Sequence, residues 1–192
     1  MPRSLTDVSR GVIEPGRRVY LRSPRASDED EFLRLVHASR SLHRPWVYPP
    51  ETPREFAAFV LRSRSPSDRC LLVRRHEDDA LVGVYTVSQI ARGFFQNAYL
   101  GYYGSATHAG QGYMAEGLEL VLAEAFGPLG LHRVEANIQP GNERSKRLAQ
   151  RAGFTYEGFS PRYLKIGGRW RDHERFAILA EEWANRPRSG RG

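Results

Sequence analysis

Residues 100–116 read LGYYGSATHAGQGYMAE, and the way this stretch folds decides the rest of the chain. Leu100-Gly101-Tyr102-Tyr103 ends a strand expected over Ala98–Tyr103, and Gly110-Gln111-Gly112 follows in a loop. The period then changes: Met114, Leu118, Val121, Leu122 and Ala125 recur at helical spacing until Gly127-Pro128 stops the helix. A strand that feeds a glycine loop and then a helix gathers free backbone N–H groups and the positive end of a helix dipole at one point. Glycines let an anion approach that point closely, so the stretch reads as a pyrophosphate site or as an ordinary turn before a helix. It is not the dinucleotide fingerprint, because Ala115 follows Gly110 and Gly112 and no acidic residue ends the next strand at the required place. It is not a Walker loop either, because no Gly-Lys-Ser/Thr follows.

Working outward, short elements alternate without a linker or an internal repeat. Upstream, the pattern predicts a strand at Arg18–Arg22 and a helix over Asp28–Ser39 with acidic residues in its first turn. An aromatic and proline-rich loop follows at Ser41–Pro50. A helix opens at Thr52-Pro53-Arg54-Glu55, and strands are expected at Arg69–Arg75 and Leu81–Ile90 around the turn Glu77–Asp79. Downstream come a strand at Val134–Ile138, a helix at Glu143–Arg151 ended by Gly153, and strands at Phe154–Tyr163 and His173–Leu179 around Gly167-Gly168. The expectation is one α+β domain over residues 17–183, between a flexible lead-in at 1–16 and a disordered basic tail at 184–192.

Composition narrows the function classes. In 192 residues, 40% are hydrophobic, 11% aromatic and 27% charged, which excludes a disordered or fibrous chain. The net charge is +7, and every cation except Lys146 and Lys165 is arginine. That excess raises a nucleic-acid reading, but the arginines are spread along the chain without interleaved aromatics, which argues against direct nucleic-acid binding. Cys70 is the single cysteine and lies in an apolar run, so it reads as a buried thiol and no intrachain disulfide is available. No apolar window is long enough for a membrane span, and MPRSLTDVSRG has no secretory core, so a cytoplasmic protein without membrane contact or bound metal is expected.

Residues 131–154, LHRVEANIQPGNERSKRLAQRAGF, supply the context that the glycine loop lacks. They read as a strand, a turn, a helix capped by Asn142 with Ser145 on its first turn, and a Gly-Phe exit. With Arg22-Ser23-Pro24, Ser41-Leu42-His43 and Trp46, Leu100-Gly101-Tyr102, Gly110-Gln111-Gly112-Tyr113 and Gly168-Arg169-Trp170-Arg171-Asp172-His173, this order resembles the GNAT superfamily of acyl-CoA-dependent N-acetyltransferases. Within it, the chain resembles the Rim-type ribosomal-protein alanine N-acetyltransferases. The resemblance implies a central twisted mixed sheet, flanked by helices, with two neighbouring strands splaying apart.

It also implies acetyl-CoA (coenzyme A) as acetyl donor and a protein N-terminus or a small amine as acceptor, with a homodimer left open. Pantetheine would pair with Leu100, Gly101 and Tyr102, and the pyrophosphate would sit on the amides of Ala109, Gly110, Gln111, Gly112, Tyr113, Met114 and Ala115. Ala109 stands where the superfamily carries Arg or Gln, and His108 is the cation that could replace it. Asn142, Lys146 and Arg147, with Arg144 beside them, are placed to meet the pantetheine arm and the ribose phosphate. For catalysis the resemblance points to Ser145 as proton donor to the leaving thiolate, held by Asn142, with Tyr156 as the alternative. Glu135 is the best carboxylate for ordering a water as base, because Tyr99 replaces a Glu found in some relatives; an ion pair with Arg133 is its other reading. Trp46, Tyr48, Tyr99 and Trp170 are the candidate acceptor-site walls; Trp46 and Tyr48 read equally as a hydrophobic lid over the core, and Trp170 as a dimer contact or plain core. Three readings result: a protein N-terminal acetyltransferase, a small-amine acetyltransferase acting on an antibiotic or polyamine, and a non-catalytic ribosome- or nucleic-acid-associated module.

Overall fold

The computed structural model describes residues 12–186, and the remainder of the lead-in and of the basic tail lie outside them. Eight strands form one mixed sheet: β1 (Val12–Pro15), β2 (Val19–Arg22), β3 (Arg69–Arg75), β4 (Leu81–Ser88), β5 (Asn97–Gly104), β6 (Arg133–Ile138), β7 (Thr155–Ile166) and β8 (Arg169–Leu179), in the spatial order β1-β2-β3-β4-β5-β6-β8-β7. Neighbours are antiparallel except β5 and β6. The helices are α1 (Glu29–Ala38), α2 (Arg40–His43), α3 (Pro53–Arg62), α4 (Tyr113–Phe126), α5 (Glu143–Arg151) and α6 (Ala180–Ala184).

The strand Cys70-Leu71-Leu72-Val73 shows why the sheet is covered on both faces. Leu71 and Val73 pack with α4 residues Leu118, Val121 and Leu122, whereas Cys70 and Leu72 point the other way, onto Phe32, Phe56 and Phe59 of α1 and α3. A continuous apolar run is what a strand buried on both sides requires. Burial pushes the Cys70 thiol up and keeps it protonated. The α3 start follows its capping box, in which Thr52 Oγ1 accepts from the Glu55 amide and the Glu55 carboxylate accepts from the Thr52 amide at 3.0 Å.

Beneath the sheet's first strands, Arg22 and Asp28 form a buried bidentate pair with separations of 2.5 and 2.8 Å. Burial acts to raise the Asp28 carboxyl. The hydrogen bonds from Arg22 and the Arg25 amide, with the Arg22 and Arg74 charges, outweigh it and hold the group below its ordinary value.

The structure corrects the sequence reading at three places. Val12–Pro15 of the supposed lead-in is a strand paired with β2, an edge strand too short to show a pattern. Arg40–His43, read as loop, is one helical turn. At the start of the supposed tail, Arg186 donates to the Ala152 carbonyl and pairs with Glu119 at 2.7 Å, so residues 184–186 are held against the domain.

The decisive feature lies at the middle of the sheet. β5 and β6 pair only at Asn97–Tyr99 with Arg133–Glu135 and then diverge. From Leu100 onward, the edge of β5 facing β6 has no strand beside it, while its other edge stays paired with β4 as far as Gly104.

Candidate active site

The wedge between the diverging strands opens into two cavities. The larger, about 1000 Å3, runs along the start of α4 and the exposed side of α5. Its floor is the turn at Gly110 and Gly112, with φ of 79° and 82°, in the left-handed region that glycine enters without strain. The α4 ladder begins only where Glu116 N donates to Gly112 O at 3.1 Å, so the amides before it have no partner within the helix.

Three contacts hold this helix start in place. Met114 turns inward into a notch that Gly83 and Gly104 leave on adjacent strands; a Cβ on Gly83 would lie 2.2 Å from its Sδ. The Tyr85 hydroxyl donates to the Met114 carbonyl at 2.6 Å, and Glu116 accepts from the Arg18 amide at 2.6 Å and from its guanidinium at 2.9 Å. Met114 is therefore an anchor for the start of α4, held by its side chain in the notch and by its carbonyl on Tyr85.

The smaller cavity, about 450 Å3, lies on the far side of the wedge, against β6, β7 and β8. Trp46, Val47, Tyr102, Asn142 and Ser145 line both cavities and form the junction. Here Ser145 Oγ donates to the Tyr102 hydroxyl at 2.7 Å, and that hydroxyl donates to the Ser145 carbonyl at 3.1 Å. Burial pushes the Tyr102 phenol up to about 12, although its bond to Ser145 acts the other way. Asn142 Oδ1 accepts from the Ser145 amide at 3.2 Å, so it caps α5 and fixes the serine at the same time. Trp46 is seated on Gly141, and its carbonyl accepts from Gln139 Nε2 at 3.0 Å, which ties the aromatic loop to the β6–α5 turn.

The sequence profile described as "Acetyltransferase (GNAT) domain" matches residues 18–155, which take in both the α4 and the α5 helix starts. The chain belongs to the GNAT acetyltransferase family. It is 33% identical over 172 residues to a Bacillus subtilis protein named probable N-acetyltransferase YjcK, covering 85% of this chain and 95% of that one. It is 36% identical over 107 residues to the [ribosomal protein uS5]-alanine N-acetyltransferase of Escherichia coli, a match over 56% of this chain and 55% of the other. Among solved structures, Mycobacterium smegmatis RimJ in complex with CoA-disulfide superposes with a TM-score of 0.78 at 28% identity, covering 85% of this chain and 83% of that chain. A Vibrio cholerae spermidine N-acetyltransferase in complex with CoA and spermine shares the fold, with a TM-score of 0.75 at 21% identity over 88% of this chain and 99% of the other.

Most of the residues read from the sequence come together in this acetyltransferase. His108, Ala109, Gly110, Gly112, Tyr113, Met114, Ala115 and Arg147 line the larger cavity with Arg144 and Arg151, and Tyr99, Leu100 and Gly101 line the smaller. The larger cavity fits an anionic cofactor: Arg144, Arg147 and Arg151 make no ion pair among the described residues, and His108 Nδ1 is buried without a partner.

Other candidates are placed elsewhere. Glu135 is buried in an ion pair with Arg133 at 2.9 Å and lines neither cavity, because Arg133 bridges it to Glu157. Lys146 is engaged by Glu143 at 2.7 Å and Glu174 at 3.2 Å and does not line the larger cavity. Gln111 spends its carbonyl on Arg18 at 3.1 Å. Tyr48 stacks under Arg44 and against Gly167, Trp170 is 61% exposed, and Tyr156 is exposed beside Phe176, so none of the three walls a cavity. The sequence reading missed Asn137, Gln139, Tyr163 and His173, which line the smaller cavity. Strand alternation could have paired Tyr163 with a core face, but no local pattern tells which side of a hairpin meets a cleft.

Proposed function

We propose that this acetyltransferase transfers the acetyl group of acetyl-CoA to the N-terminal α-amine of a protein, a ribosomal protein being the leading candidate. The observation that carries this reading is the charge of the smaller cavity: no Asp, Glu, Lys or Arg lines it. A polyamine or an aminoglycoside carries several ammonium groups, and burying them beside no carboxylate is costly. A peptide N-terminus brings one, on a group whose pKa of ~8 leaves a workable fraction neutral at physiological pH. The similarity to the uS5-alanine enzyme over 107 residues supports the same acceptor.

In this mechanism the α4 amides and the α5 arginines hold the phosphates, and the open edge of β5 from Leu100 holds the pantetheine arm. That places the thioester at the junction and the amine in the neutral cavity, which removes much of the entropic cost of a bimolecular step. A β5 amide near Gly101 or Tyr102 polarises the carbonyl. The amine attacks directly, with no protein nucleophile, since Cys70 is buried away from both cavities. Ser145 then gives its proton to the departing sulfur, positioned by Asn142 and bonded to Tyr102.

The catalytic unit takes in residues 12–186, with the edge strand β1 and the Arg186 contacts included, and works in the cytoplasm, where nascent ribosomal proteins are met. Among the described residues no helix is long and apolar enough to cross a membrane, and no cluster of potential metal ligands occurs. The exposure of Trp170 at the hairpin end supports its role as a homodimer contact. The test presents acetyl-CoA with peptides beginning in Ala, Ser or Met and, separately, with spermidine and an aminoglycoside, and follows free thiol. Preference for a peptide is expected. Preference for a polyamine, or RNA binding without thiol release, would overturn the acceptor assigned here.

A further inference from the structure

The acceptor cavity contains one side chain with an available basic lone pair. No carboxylate reaches it, and its other polar groups are phenols, hydroxyls and carboxamides. His173 lies on β8 and is 2% exposed, and its Nδ1 sits 3.0 Å from the Arg171 carbonyl. A carbonyl only accepts, so Nδ1 carries the ring hydrogen and Nε2 keeps its lone pair. No hydrogen bond to Nε2 is formed among the described residues, and His173 lines the cavity. Asn137 Oδ1 in the same wall is buried and unpartnered, and can accept a second N–H of an ammonium.

We infer that His173 is the base of the reaction, accepting through Nε2 the proton that the acceptor's ammonium gives up before its nitrogen attacks. This rests on the acetyl transfer proposed above and adds the residue that makes the amine reactive. The proton account closes. One ammonium proton passes to Nε2 and on to solvent. The N–C bond forms as the carbonyl pair moves to oxygen; on its return the C–S bond breaks with its pair on sulfur. Sulfur takes the Ser145 proton, and the second nitrogen proton, released as the amide forms, restores it.

The surroundings keep the ring neutral between cycles. Burial lowers the His173 pKa, and the Arg171 carbonyl and the Asp172 charge offset this only in part. Tyr163 of β7 faces the ring at 6.2 Å between centroids. Asp172 Oδ1 is engaged by the Arg162 amide, and Glu174 by Lys146.

The experiment measures kcat/KM against pH for the wild-type enzyme with two alanine-like N-terminal peptides whose α-amines differ in basicity. An acid limb below pH ~6.5, at the same place for both peptides, is expected for an enzyme imidazole. A limb that follows each amine's own pKa overturns the inference, and this arm needs no variant. His173→Gln, checked by its melting curve and acetyl-CoA binding, is expected to lose about 30-fold at pH 6.5, the fraction by which an amine of pKa ~8 is then protonated. At pH 9 it should recover to within ~3-fold, because nearly all of that amine is then free base. A variant profile equal to wild type also overturns the inference. Failure to acetylate any amine would instead overturn the function itself.

Discussion

The Ser145–Tyr102 pair at the junction can be tested as a unit. Ser145→Ala removes the proposed proton donor, and Tyr102→Phe removes only the oxygen that the serine contacts at 2.7 Å. General acid catalysis is worth about 10²–10⁴-fold. A thiol of pKa ~8.5 departs with modest assistance, so the low end applies, and Ser145→Ala should cost about 100-fold in kcat, or ~2.7 kcal/mol. Tyr102→Phe leaves the hydroxyl in place and costs only its orientation, about 10-fold or ~1.4 kcal/mol. Removing the phenol's oxygen also leaves Ser145 Oγ without its acceptor, at about 1 kcal/mol of stability because cavity water can replace it. That corresponds to a fall of roughly 2–4 °C in melting temperature for a chain of this size.

If Tyr102 acts only through Ser145, the double variant loses no more than Ser145→Ala, about 100-fold, since residues working as one unit are not additive. Independent roles would multiply to about 1000-fold. The assay is thiol release at saturating acetyl-CoA and peptide, with both single variants and the double variant confirmed folded by melting. A multiplicative loss, or a Ser145→Ala kcat within ~3-fold of wild type, would refute the relay.

The remaining expectations concern the pairs that shape the site. Asp28→Asn leaves Arg22 buried without its carboxylate, while Arg74 keeps Glu31 and Asp79, and should cost about 3–5 kcal/mol in chemical denaturation. The folded Asp28 pKa lies below its unfolded value of ~3.9, so its stabilisation is fully present above that pH and disappears as pH falls through the folded pKa. An acid melt of wild type against Asp28→Asn should show the two converging at low pH. Arg144→Glu with Arg147→Glu should raise the KM for acetyl-CoA by about 10-fold or more, more steeply at low salt, with the KM for peptide unchanged. Glu135→Gln should keep kcat within ~3-fold while lowering the melting temperature, because it loosens Arg133 and leaves the cavity wall intact; a pH-profile change there would return Glu135 to the chemistry.

What could be read from the sequence were the features encoded within a few neighbours. The strand-glycine-helix switch at residues 100–116, the Asn142 cap with Ser145 three positions later, and the two-faced run at Cys70–Val73 are all local. The observed β3, β5, α4 and α5 lie within a residue or so of their expected bounds. Net charge carried less, because many arginines are consumed by carboxylates that only the fold brings near, as Arg74 is by Glu31 and Arg133 by Glu157. The choice between two chemically plausible residues was tertiary. Glu135 lies on β6, which borders the wedge, and His173 on β8 beside it, and the local sequence does not say which of them meets the cleft. The divergence of β5 from β6 after Tyr99 opens a cavity that the β7–β8 hairpin lines with Tyr163 and His173, while Arg133 and, across it, Glu157 close off Glu135. A backbone cradle needs only local conformation, so sequence suffices for it. A proton acceptor needs solvent excluded and partners withheld, conditions set by residues distant in the chain, and only the assembled sheet supplies them.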